Sequence, residues 1–323
     1  MVVKALVFKE FGAPEVLHIA DIPAPILGAR DVLVRVAYAG LNFADVYRRQ
    51  GNYHLKGASP WVLGYEGSGR VEAVGTGVSG LRIGDRIAFA DSPFSNAEYA
   101  AVDADKIIPV PPDIPLDIAA AVLLQGLTAQ YLVSDSYDIR PGDTALVHAA
   151  GGGVGLLLCQ QARDKGAKVV ALASSETKRQ AALRAGAIRA FGYEDWRETV
   201  IAAVGEVDVV YDSVGSTLVE SLAVVKTGGS AVFYGMAGGD PQPVDPRILM
   251  DRSLKLIGGD LWNVLRTRQD RIERSSKLFA LIRSGNLSVE IAAVFPLSEG
   301  ACAHRLLQER SVIGKILLSV GEN

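Results

Sequence analysis

The segment that most constrains the fold is eight residues long. His148-Ala149-Ala150-Gly151-Gly152-Gly153-Val154-Gly155 follows an apolar run at 144–148 and opens a helical stretch at 154–165. Glycines clustered between a strand and a helix let the backbone come close to groups that a Cβ would hold off. Gly152 leaves backbone N–H groups open to an anion, Gly155 lets the helix pack closely on the sheet, and the helix N-terminus adds its partial positive charge. The turn therefore reads as the pyrophosphate cradle of a dinucleotide site, formed by Gly152, Gly153, Val154 and Gly155. Ala150 stands where the usual pattern has its first glycine. A turn kept glycine-rich for packing alone is the competing reading.

The surrounding grammar supports the first reading. Expected strands at 144–148, 168–172, 207–211, 230–234 and 253–257 alternate with helical segments, among them 154–165 and 176–185. That alternation predicts a doubly wound parallel sheet of the Rossmann kind. The first third differs. Short runs at 5–8, 32–37, 69–74, 86–90 and 97–102, closely spaced and broken by turns, predict a small β-rich barrel or sandwich. Pro109-Val110-Pro111-Pro112 and Pro115 form a stiff break before one or two helices over 116–137. The tail predicts a helix at 267–284, a strand at 291–295, a helix at 298–309 and a strand at 315–320. Those strands could complete the first sheet. The expected division is 1–122 with 264–323 as one domain and 123–263 as the dinucleotide-binding domain.

Charge and cysteine content narrow the function. Thirty-three Lys and Arg against 36 Asp and Glu give a net charge of −3, with no basic run, so no nucleic-acid partner is expected. Cys159 and Cys302 are the only cysteines, too few for a disulfide framework or a four-cysteine zinc lobe. No apolar run reaches the roughly 18 residues of a membrane span, and residues 1–8 are too short for a signal peptide. A soluble cytoplasmic protein is expected.

The end of the second strand of the alternating region bears on the cofactor. An NAD site usually places a carboxylate there for the ribose hydroxyls, whereas this chain reads Ala173-Ser174-Ser175-Glu176-Thr177-Lys178. Ser174, Ser175 and Lys178 suit a 2′-phosphate, and Glu176 falls one or two residues late. NADPH is favoured on that ground. Ser174 or Ser175 as a helix cap and Lys178 as a solvated lysine remain open.

Taken together, the order of segments resembles the medium-chain dehydrogenase/reductase superfamily along essentially the whole chain. Where its zinc alcohol dehydrogenases carry a cysteine, this chain has Asn42, in Ala39-Gly40-Leu41-Asn42-Phe43-Ala44-Asp45. Where they carry the histidine of Gly-His-Glu, it has Gly64-Tyr65-Glu66. Neither residue is a good zinc ligand, and His18, His54, His148 and His304 have no ligand spacing. Asn42-Phe43-Ala44-Asp45-Val46-Tyr47, Gly51-Asn52-Tyr53, Gln125-Gly126-Leu127-Thr128-Ala129 and Tyr211-Asp212-Ser213-Val214-Gly215 are similar to the zinc-free quinone oxidoreductase (zeta-crystallin-like) branch. The resemblance implies a GroES-like catalytic domain beside the Rossmann domain, and transfer of reducing equivalents from NADPH to a quinone.

It also implies a set of site residues. Asn42, Tyr47 and Tyr53 would lie beside the nicotinamide and the substrate, with Asn42 also a cofactor contact and Asp45 supporting the loop. Thr128 would bond the carboxamide, against a purely helical role. Tyr193 would lie near the adenosine phosphate, against edge packing. Ser213, Gly215, Gly235 and Met236 would line the cleft at strand ends. Lys315 would reach a cofactor phosphate, or be a surface lysine. Two other functions stay open: an enoyl-thioester or alkenal double-bond reductase with Tyr53 as proton donor, and a low-turnover NADPH-binding sensor or structural protein. One-electron and two-electron reduction are not distinguished. The apolar edge at Ser253-Leu254-Lys255-Leu256-Ile257-Gly258-Gly259 suggests a homodimer.

Overall fold

The computed structural model describes residues 1–321. They group into two units: 1–124 with 265–280 and 289–321, and 125–264 with 281–288. The sequence placed all of 264–323 with the first domain. Residues 281–288 instead belong to the second unit, because Ser288 N–H donates to Gln160 Oε1 (2.8 Å) and Gln160 Nε2 returns a bond to Ser288 O (3.0 Å).

The first unit is built on strands β1 (Val2–Phe8), β2 (His18–Pro23), β3 (Asp31–Gly40), β4 (Trp61–Val62), β5 (Glu66–Val74), β6 (Arg86–Ala90), β7 (Tyr99–Asp103) and β8 (Ile107–Pro109). A small sheet runs β2-β1-β4. In the larger one, β3 pairs antiparallel with β5 on one side and with β7 on the other. Its long alternation of valines buries Val32, Val34 and Val36 completely against Phe8, Ile87, Phe89 and Val102. Helix α1 (Phe43–Arg49) was not read from the sequence. Asn42 is its N-cap; Asn42 N–H donates to Asp45 Oδ2 (3.0 Å) and Asp45 N–H to Asn42 O (2.9 Å). The Asp45 carboxylate on the Asn42 N–H and the turn closed on the Asn42 backbone carbonyl fix where the helix starts.

Helix α2 (Leu116–Tyr131) follows the prolines, and with residues to Ser136 it makes a 21-residue helical segment holding an 18-residue window of mean hydropathy 1.5, so an apolar stretch does reach a membrane span's length. That window is 72% buried within the protein, as the core helix of a globular fold would be.

The second unit carries β9 (Thr144–Val147), β10 (Lys168–Leu172), β11 (Arg189–Phe191), β12 (Val207–Asp212), β13 (Val225–Phe233) and β14 (Lys255–Gly258), with helices α3 (Gly153–Asp164), α4 (Glu176–Arg184), α5 (Trp196–Val204), α6 (Leu218–Val224) and α7 (Pro246–Arg252). All strand pairs are parallel, in the order β11-β10-β9-β12-β13-β14. This is the Rossmann arrangement, with the chain reversing direction across the sheet between β9 and β12. β9, β10 and β12 are buried on both faces, which is why they read as continuous apolar runs rather than as alternation. The last expected strand begins at Lys255 and not at 253, because Ser253 is left-handed (φ 52°) and caps α7.

The tail adds α8 (Arg268–Arg283), β15 (Ile291–Pro296), α9 (Gly300–Gln308) and β16 (Lys315–Ser319). β16 pairs antiparallel with β3, Leu317 opposite Gly40, and so completes the large sheet of the first unit.

Candidate active site

In the second unit the glycine turn lies at the carboxyl end of β9. Gly152 caps α3 in an extended conformation, and a Cβ on it would meet only the Ala149 carbonyl oxygen, at 3.2 Å. The neighbouring glycines are also required by packing. A Cβ on Gly155 would come within 2.7 Å of Ala150 Cα and closer still to the Ala149 oxygen; one on Gly153 would strike the Gln125 amide. Gly152, Gly153 and Val154 are part-exposed at the start of a 12-residue helix. Open space above Gly152, with amides and a helix N-terminus beneath it, fits a pyrophosphate.

Two networks hold this turn. Tyr193, at the end of β11, accepts a hydrogen bond at its phenol oxygen from Ala149 N–H (2.9 Å), so its place is under the turn. On the other side, Asp212 closes β12. Its Oδ1 accepts from the N–H groups of Val214 (2.8 Å) and Gly215 (3.0 Å), and its Oδ2 from the hydroxyls of Thr217 and Ser221 (2.7 Å each). Ser221 Oγ also lies 3.0 Å from His148 Nε2. The one hydroxyl proton of Ser221 goes to Asp212, so His148 Nε2–H is the donor and its Nδ1 is the bare nitrogen. Burial raises the Asp212 carboxyl, but His148 and these hydrogen bonds outweigh it and hold the group below the usual carboxylate range. Burial lowers the His148 pKa despite the Asp212 and Glu220 charges that oppose it. Ser213 O accepts from Ala237 N–H (3.0 Å), and Gly235 faces Ser213 so that its Cβ would lie 3.3 Å from that oxygen. Ser213 and Gly235 are therefore neighbours, and Gly215 packs against Met236.

At the end of β10, Ser174 is exposed, and Ser175 caps α4 by accepting from Lys178 N–H (3.3 Å). The solvated reading of Lys178 is corrected: it is buried, its stem packed over Gly151, whose added Cβ would come within 2.7 Å of Lys178 Cβ. Glu176 is drawn off by Gln180 and Arg179, which lower its pKa. Arg179 is a cation at this strand end that the sequence reading passed over; its place directly after Lys178 was the available signal. Thr128 is buried in α2.

The first unit holds a different kind of site. β3 runs antiparallel to both β5 and β16, so the carboxyl end of β3 meets the amino ends of the other two. Asn42 follows β3, Glu66 opens β5 and Lys315 opens β16. The Asn42 Nδ2 donates to Glu66 Oε1 (2.7 Å), Lys315 Nζ donates to Asn42 Oδ1 (3.0 Å), and Lys315 also pairs with Glu66 Oε1. Glu66 Oε2 accepts from Leu124 N–H (2.9 Å). All three side chains are buried. Of the two readings of Lys315, a cofactor-phosphate contact or a surface lysine, the second is corrected: it is buried, and its ammonium is engaged by Glu66 and Asn42.

Tyr47 and Tyr53 come together, their rings 6.4 Å apart and nearly edge-on. Both are part-exposed. Beside them is Arg48, unremarked in the sequence and almost fully buried, its guanidinium 3.5 Å from the Tyr65 ring centre and 5.1 Å from that of Tyr53. Its partner Asp45 lies 3.4 Å away; burial raises the Asp45 carboxyl even though Arg48 opposes this. Among the described residues, no three His, Cys, Asp or Glu side chains cluster as a metal site would require.

Residues 28–141 match the alcohol dehydrogenase GroES-like domain family, and residues 153–278 the zinc-binding dehydrogenase family. The chain is 37% identical to a probable quinone oxidoreductase of Schizosaccharomyces pombe over 97% of its own length and 95% of the relative's. It is 38% identical to a quinone oxidoreductase of Pseudomonas aeruginosa, over 98% and 99%. The solved structure of Escherichia coli quinone oxidoreductase complexed with NADPH superposes with a TM-score of 0.95 at 35% identity, covering 98% of this chain and 100% of that one.

Proposed function

The chain belongs to the quinone oxidoreductase branch of the medium-chain dehydrogenase/reductase superfamily, and from that premise we propose that it moves reducing equivalents from NADPH to a quinone without zinc. The observation that carries the zinc-free reading is what stands at the ligand positions. Asn42 has its amide bonded to Glu66 and Lys315, and Tyr65 has its ring against Arg48. Without a Lewis acid, an unactivated ketone loses its means of polarisation. A quinone does not need it, because its conjugated system spreads the incoming charge.

NADPH, when bound, supplies the hydride. Gly152, Gly153, Val154 and Gly155 hold the pyrophosphate at the α3 N-terminus. Ser174, Ser175 and Lys178 receive the 2′-phosphate, and Tyr193 supports the turn from below. Ser213 and Gly235 line the strand ends, and Thr128 takes the carboxamide. Asn42 orients the reacting groups with an amide that both donates and accepts, while Tyr47 and Tyr53 present phenols to the developing oxyanion. The chain's contribution is positioning and exclusion of water.

The test is NADPH consumption with a panel of quinones, enals and enoyl thioesters, each repeated with NADH. Turnover is expected with quinones and NADPH. Turnover only with enals or thioesters would assign a double-bond reductase, and no turnover at all a binding protein. Metal analysis of the active protein is expected to find less than stoichiometric zinc.

The assembly proposed is a homodimer through β14. That edge strand is largely exposed, with Leu256 on it and Met250 of α7 71% exposed nearby, an unusual amount of apolar surface beside open strand hydrogen bonds. A monomeric mass at micromolar concentration would exclude it. Two unpaired cysteines, Cys159 and Cys302, suit the reducing cytoplasm proposed for it.

A further inference from the structure

Asn42 is an amide, and an amide side chain turned by half a rotation about its last bond exchanges a donor for an acceptor at almost no cost in shape. A residue asked to direct reacting groups cannot be left free to make that exchange. Two of its bonded neighbours are of opposite kind. An ammonium offers only N–H groups, and a carboxylate offers only lone pairs. Lys315 Nζ meets Oδ1 at 3.0 Å, and Glu66 Oε1 meets Nδ2 at 2.7 Å. Turning the amide would set N–H against ammonium and carbonyl against carboxylate, with all three side chains buried and little water to relieve either clash.

We propose that Lys315 and Glu66 are positioning residues, a buried ion pair whose task is to lock the Asn42 amide in one of its two orientations and so fix the direction of the N–H and the carbonyl it presents. The inference rests on the reading that Asn42 touches the reacting groups. The packing is built around the pair. A Cβ on Gly40 would lie within 2.8 Å of Lys315 Cε and closer to Glu66 Oε1, so the strand end is kept bare where the two charges meet. The carboxylate is itself held by a second, backbone donor at Leu124. Such an arrangement uses one donor and one acceptor of the amide and pins both.

The test is a mutant cycle on kcat with 1,4-benzoquinone and NADPH, with NADPH affinity and thermal unfolding followed alongside. The neutral pair Glu66→Gln/Lys315→Met keeps side-chain size and removes both charges together, so no unpaired charge is left buried. In the otherwise native chain it should lower kcat by about tenfold or more, since small misplacements of a positioning group are costly in rate. NADPH affinity should move by less than about threefold. In an Asn42→Ala background the same pair should change kcat by less than about twofold, because there is no amide left to orient. Should the neutral pair fail to show a cooperative unfolding transition, Glu66→Gln/Lys315→Gln takes its place in the cycle; its two amides leave no buried charge and can meet either orientation of Asn42. Equal losses in both backgrounds would overturn the lock and leave Asn42 itself in place. So would a native kcat in the charge-neutral variant when Asn42→Ala is impaired. A native kcat in Asn42→Ala would remove the reading of Asn42, and the lock with it.

Discussion

The two units build their sites from different materials. The Rossmann unit makes its cradle from backbone: a glycine turn, the first amides of α3, and carbonyls and N–H groups at the ends of β12 and β13. The GroES-like unit makes its site from side chains that arrive on three strands and a helix start, Asn42, Glu66 and Lys315 with the aromatic group around Arg48. A backbone site is written within a few consecutive residues, and it tolerates change except where a Cβ intrudes. A side-chain site needs partners far apart in the chain, and each is exposed to any change of charge.

The sharpest way to break the comparison is to put a Cβ into the turn. Gly155→Ala collides with backbone at Ala149 and Ala150, and overpacking of this kind costs about 1–3 kcal/mol. It should lower the unfolding midpoint and abolish measurable NADPH binding. Gly152→Ala has almost nothing to strike within the protein; it should leave thermal unfolding close to native while weakening NADPH more than about tenfold. Matched losses of stability in the two variants would show that the turn serves packing only.

Charge at the same site is the next lever. Lys178→Met keeps the stem that covers Gly151 and removes the ammonium. NADPH affinity should fall by about tenfold to a hundredfold, the worth of roughly 1.5–3 kcal/mol for a charge-assisted bond, with NADH nearly unaffected. Titration of both cofactors measures it, and parallel losses would mean the lysine does not meet the 2′-phosphate.

In the other unit, Gly40→Ala drives a methyl group into the Glu66–Lys315 pair. Quinone turnover should fall by about tenfold while NADPH titrates as before. If NADPH binding fell instead, the division of labour between the units would be wrong.

The smallest effect on activity is expected from acid. His304, buried in the first unit, has its pKa pushed down to about 3, first by burial and then by the Arg49 charge. It is neutral when folded, and unfolding lets it take a proton at its ordinary pKa of about 6.5. Its contribution is whole above that value and is lost as pH falls towards 3, by up to about 1.4 kcal/mol per pH unit. His148 acts in the same direction. Urea unfolding between pH 7 and 4 should show the slope, and His304→Leu should reduce it.

What could be read from sequence follows the same division. The strand at 168–172 and the one at 86–90 appear where expected, and the glycine turn needed no partner outside its own eight residues. The Asn42–Asp45 contact also lay within four residues and was missed, because the seven-residue helix it starts is too short to show a helical period. Lys315 was left between a cofactor phosphate and the surface for another reason. Its partners are 249 and 273 residues away, and an isolated lysine before an apolar strand looks like any surface cation. Arg48 gave no local sign that its charge would lie between two aromatic rings.

The pairing of β16 with β3 sets an order of events during synthesis. Residues 125–264 leave the ribosome as one continuous stretch carrying all six strands of their sheet. Asn42 emerges early but must wait for Lys315, 273 residues later. At translation rates of about 5–20 residues per second that delay is roughly 15–55 s. Through that interval Glu66 and the bare end of β3 have no counter-charge and no closing strand. The nascent chain thus carries the glycine turn and its six strands well before Asn42 and Glu66 can meet Lys315.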